Sequence, residues 1–190
     1  MVKKKKVSTC VFISGNGTNL KKIFKNSKNK SFPIKIDLVI SNNAKAKGII
    51  FAKKNNIKVK CIKYINQKSF EKNSLILLKK NNIKLICLAG FMKILSSKFI
   101  TQFKYKILNI HPSLLPKYKG LNTHMRVIKN KEKFSGCTVH FVNKKLDSGK
   151  IILQKKIKIQ KKDTHKSLNK KILKLEYIAY SLAIKRIFKN

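Results

Sequence analysis

Short runs rich in Val, Ile and Leu recur along this chain, and longer amphipathic stretches studded with Lys lie between them. That alternation restricts the fold more than any other feature. Strands that read as continuous apolar runs need cover on both faces, and segments of helical period supply it. The pattern predicts βα units around a mostly parallel sheet, an α/β domain of Rossmann-like, three-layer type. Strands are expected at Val7–Ser14, Ile34–Ser41, Lys58–Ile62, Lys84–Ala89 and Lys106–Ile110, with Cys137–Val142 and Ile151–Ile159 as a mixed or antiparallel extension. Helices are expected at Asn19–Lys25, Ala44–Asn55, Lys68–Asn81, Ser97–Phe103 and Thr123–Asn130, and from about Asp163 to Phe188 behind an Asp163-Thr164 cap. With 190 residues, 43% of them hydrophobic, the chain has material for one core of ordinary size, so residues 1–190 read as a single domain.

Lys and Arg total 47 against 6 acids, a formal net charge of +41. A nucleic-acid binder concentrates its basic residues in an arm, stripe or helix. Here residues 1–95 carry 23 and residues 96–190 carry 24, so the charge is spread. Abundant Asn and Ile, two Arg and no Trp accompany the Lys, the mark of drift toward A/T-rich codons. Such a field draws anionic substrates, holds nucleic acid loosely at low salt and works against compactness. No specific nucleic-acid partner is expected from it.

No apolar run approaches the roughly 18 residues of a membrane span, and the opening Met1-Val-Lys-Lys-Lys-Lys is too short and polar for a signal peptide. A cytoplasmic protein with no membrane partner is expected. Cys10, Cys61, Cys87 and Cys137 form no C-x-x-C pair, so neither a zinc site nor a redox motif is indicated and no metal is expected.

Three segments carry chemistry. The first βα junction reads Ile13-Ser14-Gly15-Asn16-Gly17-Thr18-Asn19-Leu20, a Gly-x-Gly turn that delivers a buried strand into a helix N-terminus. Backbone N–H groups exposed there suit a phosphate. Leu20 stands where a dinucleotide fingerprint needs its third glycine, and no Gly-Lys-Ser/Thr follows, so a phosphomonoester fits better. The same residues also read as a plain turn capped by Thr18.

In Asn109-Ile110-His111-Pro112-Ser113-Leu114-Leu115-Pro116, period two puts Asn109 and His111 on one face at a strand's C-terminal end, where ligands of open α/β sheets bind. Pro112 biases His111 toward extended backbone and aims it. In Leu146-Asp147-Ser148-Gly149, Asp147 is placed to orient His111 and favour its cation, or merely to close an Asx-type turn. His124, His140 and His165 read as structural or peripheral, and Glu176 as a surface charge.

Taken together, Ile13–Leu20, Leu88-Ala-Gly-Phe-Met-Lys-Ile-Leu95, Asn109–Pro116 and Leu146–Gly149 resemble the phosphoribosylglycinamide formyltransferases, a folate-dependent family of the formyltransferase fold. The resemblance runs from the first strand to the last helix. It implies Asn109, His111 and Asp147 as the catalytic set. It implies Gly17, Thr18 and Asn19 at the phosphate of a glycinamide ribonucleotide, with Glu176 at its ribose or amine side. Met92, Lys93, Ile94 and Leu95 would line the folate pocket together with Asn109, and the loop Asn143, Lys144, Lys145, Leu146 and Asp147 would close on the pterin. The implied cosubstrate is 10-formyltetrahydrofolate, without a metal, and the implied state is a monomer or weak homodimer acting on small molecules. Lys93, Ser148, Lys119 and Asn122 depart from the commonest family pattern, and the region near Asn66–Ser69 is shortened.

The reaction implied is transfer of a formyl group from folate N10 to a primary amine through a tetrahedral carbon, in purine synthesis. Three alternatives stay open at this level: a tRNA-directed formyltransferase, a formyl-folate deformylase, and a basic RNA-binding protein with an α/β core. The chain lacks length for an appended RNA-binding domain, a deformylase has no phosphate to cradle, and RNA binding leaves the Asn-His-Asp set without a role.

Overall fold

The computed structural model describes residues 5–188; residues 1–4 and 189–190 lie outside it, and with them the first half of the opening lysine run. In chain order the elements are β1 (Val7–Ile13), α1 (Thr18–Ser27), β2 (Ile34–Ser41), α2 (Lys47–Lys54), β3 (Lys58–Cys61), α3 (Gln67–Lys80) and β4 (Leu85–Leu88). They continue as α4 (Ser97–Gln102), β5 (Lys106–His111), α5 (Thr123–Lys129), β6 (Phe134–Phe141), β7 (Ile151–Lys158) and α6 (His165–Ile187). The strands make a seven-stranded sheet in the order β3-β2-β1-β4-β5-β6-β7. β1 pairs in parallel with β2 and β4, β2 pairs in parallel with β3, and β6 and β7 are antiparallel. This is the mostly parallel α/β architecture with an antiparallel end that the alternation predicts. The chain groups into two compact units, one ending at Leu108 and the other beginning at Asn109.

In the first unit Cys10, Val11, Phe12 and Ile13 are all fully buried, as a strand covered on both faces requires. Phe12 meets Phe70, Phe91 and Phe99 edge-on, with ring centroids 6.2, 5.3 and 6.3 Å away. This cluster anchors the turn after β4 through Phe91. The edge strand β3 exposes Lys58 and Lys60, charges that discourage a further strand from pairing there.

In the second unit β6 begins three residues earlier than the sequence suggests. Gly136, inside the added stretch, is a point of close approach: a Cβ there would lie 2.0 Å from the Lys155 carbonyl oxygen of β7. Helix α6 opens with a capping box, Thr164 accepting from the Ser167 N–H while Ser167 accepts from the Thr164 N–H. Its inner face buries Leu168, Ile172, Ala179, Tyr180, Ala183 and Ile184. Among the described residues no helix is long and apolar enough to cross a membrane.

Candidate active site

The expected strand-end pair and the expected carboxylate come together in the second unit. Asn109 and His111 lie on β5, and Asp147 lies in the loop between β6 and β7, only 8% exposed. Asp147 Oδ2 accepts from the Gly120 N–H at 2.9 Å and stands 3.3 Å from His111 Nδ1. Its Oδ1 is 3.5 Å from Asn109 Nδ2 and 3.7 Å from His140 Nε2. Asp147 holds this aim in a left-handed backbone conformation, φ +45°. Strain of that kind is tolerated where surrounding structure over-determines it. One determinant is Gly149, where a Cβ would fall 1.7 Å from the Phe141 carbonyl oxygen, so the loop packs against β6 closer than any side chain permits.

Burial acts to raise the Asp147 carboxyl, but the neighbouring His140 ring, the Gly120 N–H and the neighbouring His111 ring outweigh it. The group therefore sits below the usual carboxylate range and is ionised at neutral pH.

His140 is the residue that sequence reasoning set aside. It is 2% exposed, its Nδ1 lies 2.8 Å from the Phe141 carbonyl oxygen, and its Nε2 lies 3.3 Å from Asn109 Nδ2. With the proton on Nδ1, Nε2 accepts from the Asn109 amide and fixes which end of that amide faces the site. Period two along Thr138-Val139-His140 put it on one face of a buried strand, and the signal that marks it is three-dimensional: the carboxylate beside it. His111 Nε2 is 2.7 Å from the Tyr118 carbonyl oxygen. Both nitrogens of that ring thus face acceptors, a carboxylate and a carbonyl.

Glu176, a surface charge by sequence pattern, is buried on α6 at 8% exposure. Burial first, and the nearby Glu176 charge second, push the Cys137 thiol up to about 12. His124 is half-buried, and burial followed by the charges of His111 and His165 holds it below its ordinary value. The loop Asn143, Lys144 and Lys145 is exposed, braced by the Lys145 N–H on Asn143 Oδ1 at 3.0 Å, and Leu146 is 51% exposed.

In the first unit the Gly-x-Gly junction is built as a turn with an open helix end. Gly17 is the N-cap of α1 at φ +65°, and no side chain caps the helix; Thr18 is its first residue and not its cap. A Cβ at Gly17 would meet Gly48 Cα at 2.8 Å, so glycines at both positions let two backbones cross. Ser14 ties the junction to its neighbours: its hydroxyl donates to Asn42 Oδ1 at 2.6 Å and accepts from the Met92 N–H at 2.8 Å.

The Met92–Leu95 segment is held by its backbone. Gln67 Nε2 donates to the Ile94 carbonyl at 2.9 Å, and Glu71 accepts from the Ser96 N–H at 2.6 Å. Met92 and Ile94 are exposed, Leu95 is buried, and Lys93 Nζ lies 4.5 Å from the Tyr64 ring centroid.

An amide donor, a histidine and a buried carboxylate thus stand together about the C-terminal end of β5, where ligands of open α/β sheets bind. A family model described as formyl transferase matches residues 7–184, and the chain belongs to that family of enzymes. Within it the similarity is to one activity. The chain is 44% identical over 178 residues to phosphoribosylglycinamide formyltransferase of Haemophilus influenzae, across 92% of this chain and 84% of that protein. It is 37% identical over 185 residues to the trifunctional purine biosynthetic protein adenosine-3 of Gallus gallus, and spans 18% of that longer relative. The crystal structure of phosphoribosylglycinamide formyltransferase from Anaplasma phagocytophilum superposes with a TM-score of 0.91 at 39% identity, covering 96% of this chain and 87% of that one. The resemblance read from the motifs is borne out.

Proposed function

We propose that the chain transfers the formyl group of 10-formyltetrahydrofolate to the amine of N1-(5-phospho-D-ribosyl)glycinamide, a step of purine synthesis, in the cytoplasm and as a monomer or weak homodimer. The observation that carries the reading is the left-handed Asp147, whose two carboxylate oxygens face His111 on one side and Asn109 with His140 on the other. The names of the similar proteins supply the substrate class.

The amine must be neutral to attack, the formyl oxygen gains negative charge as the new C–N bond forms, and the folate C–N bond breaks with a proton delivered to N10. Asn109 is a two-proton donor. One proton goes to His140 Nε2, and the long approach to Asp147 is weak enough to exchange for the developing oxyanion. The His111 imidazolium adds positive charge, and because its Nε2 is engaged by the Tyr118 carbonyl it acts from a fixed position. Asp147 takes up the proton lost by the amine, directly or through water, and the His111 pair returns one to the leaving nitrogen. Gly17, Thr18 and Asn19 hold the phosphate on the uncapped N-terminus of α1, favoured by the helix dipole. Glu176 receives the sugar or amine side. In the first unit the exposed apolar side chains of Met92 and Ile94 fit an aromatic cosubstrate better than bulk water. Lys93, Leu95, Asn143, Lys144 and Lys145 complete the folate contacts, largely through backbone groups.

The test is an absorbance assay for deformylated folate with 10-formyltetrahydrofolate or a stable formyl-folate analogue and the ribonucleotide, alongside His111→Ala. Product that requires the ribonucleotide and disappears in the variant supports the reading. Product without an acceptor, or only with charged tRNA, refutes the substrate.

A further inference from the structure

Tyr118 is an aromatic residue in the left-handed region, φ +57°, a conformation ordinarily left to Gly and Asn. Its carbonyl oxygen is the partner of His111 Nε2 at 2.7 Å, and Ser113 Oγ approaches the same oxygen at 3.4 Å. The strained backbone is thus what aims a carbonyl at the histidine. Three side chains pin it from the far end. The Tyr118 hydroxyl donates to Glu132 Oε1 at 2.9 Å and accepts from Asn130 Nδ2 at 3.0 Å, while the Arg126 guanidinium carbon lies 5.3 Å from the ring centroid. Lys117 Nζ joins the same Glu132 oxygen at 3.0 Å. The bond from Lys117, and then that from Tyr118, hold the Glu132 carboxyl below its usual range, so it remains an anionic acceptor at neutral pH.

We propose that Glu132 and the Tyr118 hydroxyl form a strap that keeps the Tyr118 backbone left-handed and so fixes the His111 ring for catalysis. The inference rests on the formyl-transfer reading and deepens it. Both are positioning residues: Glu132 makes no bond to the Asn109–His111–Asp147 set and reaches it through Tyr118. Freed of the hydroxyl anchor, Tyr118 relaxes toward negative φ, its carbonyl turns away, and His111 Nε2 loses the acceptor that orients it. A displacement of about 1 Å in a reacting group costs up to about a hundredfold in rate.

The experiment compares wild type with Tyr118→Phe, Glu132→Ala and Glu132→Gln, the last keeping an oxygen that accepts from the hydroxyl. We expect kcat to fall about tenfold to a hundredfold in Tyr118→Phe and Glu132→Ala with KM within about twofold, and to recover in Glu132→Gln. The second readout needs no turnover. In 15N-histidine NMR spectra the protected His111 Nε2–H signal of wild type should be lost in the first two variants and kept in Glu132→Gln. An active wild type whose variants keep both kcat and that signal overturns the strap. So does a lower Tm with the signal unchanged, which marks a merely structural brace. A wild type that transfers no formyl group refutes the parent reading instead, and the ring signal still decides the strap.

Discussion

Replacing Asp147 by Asn removes one charge from the centre of the site and little else, because asparagine occupies the left-handed conformation of φ +45° at least as readily as aspartate. At 3.3 Å, with an effective dielectric constant near 20, a carboxylate and an imidazolium attract by about 5 kcal/mol. The Gly120 N–H, 2.9 Å from Oδ2, still needs an acceptor, so the amide oxygen takes that place and the amino group takes the place of Oδ1. There it confronts Asn109 Nδ2 at 3.5 Å, donor against donor, while His140 Nε2 at 3.7 Å is left as its only acceptor. The partial negative charge of the amide oxygen beside His111 Nδ1 returns part of the loss. The net effect on the transition state is about 3–4 kcal/mol, or roughly 10²–10³ in kcat. Because the loss falls where charge develops, KM for the ribonucleotide should stay within about threefold. Steady-state absorbance kinetics at pH 7 to 8 measure both quantities, and melting curves check that the variant is folded. Normal kcat with a large rise in KM would refute the argument.

The Asp163 carboxylate accepts from Lys171 at 2.7 Å, from the Gln160 N–H and from the Ser167 hydroxyl, and the first of these does most to hold it at about 2. A carboxyl depressed on folding stabilises above its unfolded value near 4 and loses that contribution as pH falls toward 2. Asp163→Ala should therefore cost about 1–2 kcal/mol at pH 7, seen as roughly 3–6 °C in Tm, with the difference from wild type closing between pH 4 and 2; a constant difference across that window contradicts it. Gly149→Ala forces a Cβ to within 1.7 Å of the Phe141 carbonyl oxygen, so the Asp147 loop must move; we expect at least about 3 kcal/mol of destabilisation in urea melts and loss of turnover. Added NaCl should raise Tm. Six acids against 47 basic residues leave a net +41 with no internal counter-charge, and a fall in Tm between about 0.02 and 0.3 M salt would show that self-repulsion is minor.

Much of the fold was legible because its central strands, β1 and β4 above all, are buried on both sides and therefore read as unbroken apolar runs. The start of β6 was expected three residues late, since a glycine inside a strand gives no apolar signal and its fit is apparent only once the partner backbone is known. The strand-end placement of Asn109 and His111 followed from period two alone. His140 did not, because nothing in Thr138-Val139-His140 distinguishes a histidine packed in a core from one beside a carboxylate 3.7 Å away. Glu176 failed in the opposite direction: among lysines on a long helix a carboxylate reads as solvent-facing, yet it is buried.

By itself the sequence determined the order of strands and helices, the Gly-x-Gly turn and the strand-end placement of Asn109 and His111, since these depend on side-chain type and on spacing along one segment. Tertiary structure alone decided what those groups face. The bonds that orient the site join residues 27 positions apart for Gly120 and Asp147 and 14 apart for Tyr118 and Glu132. Local propensity says nothing about such partners. Tyr118 and Asp147 are among the residues held in the left-handed backbone region, and contacts supplied by the rest of the fold outweigh the local preference against it.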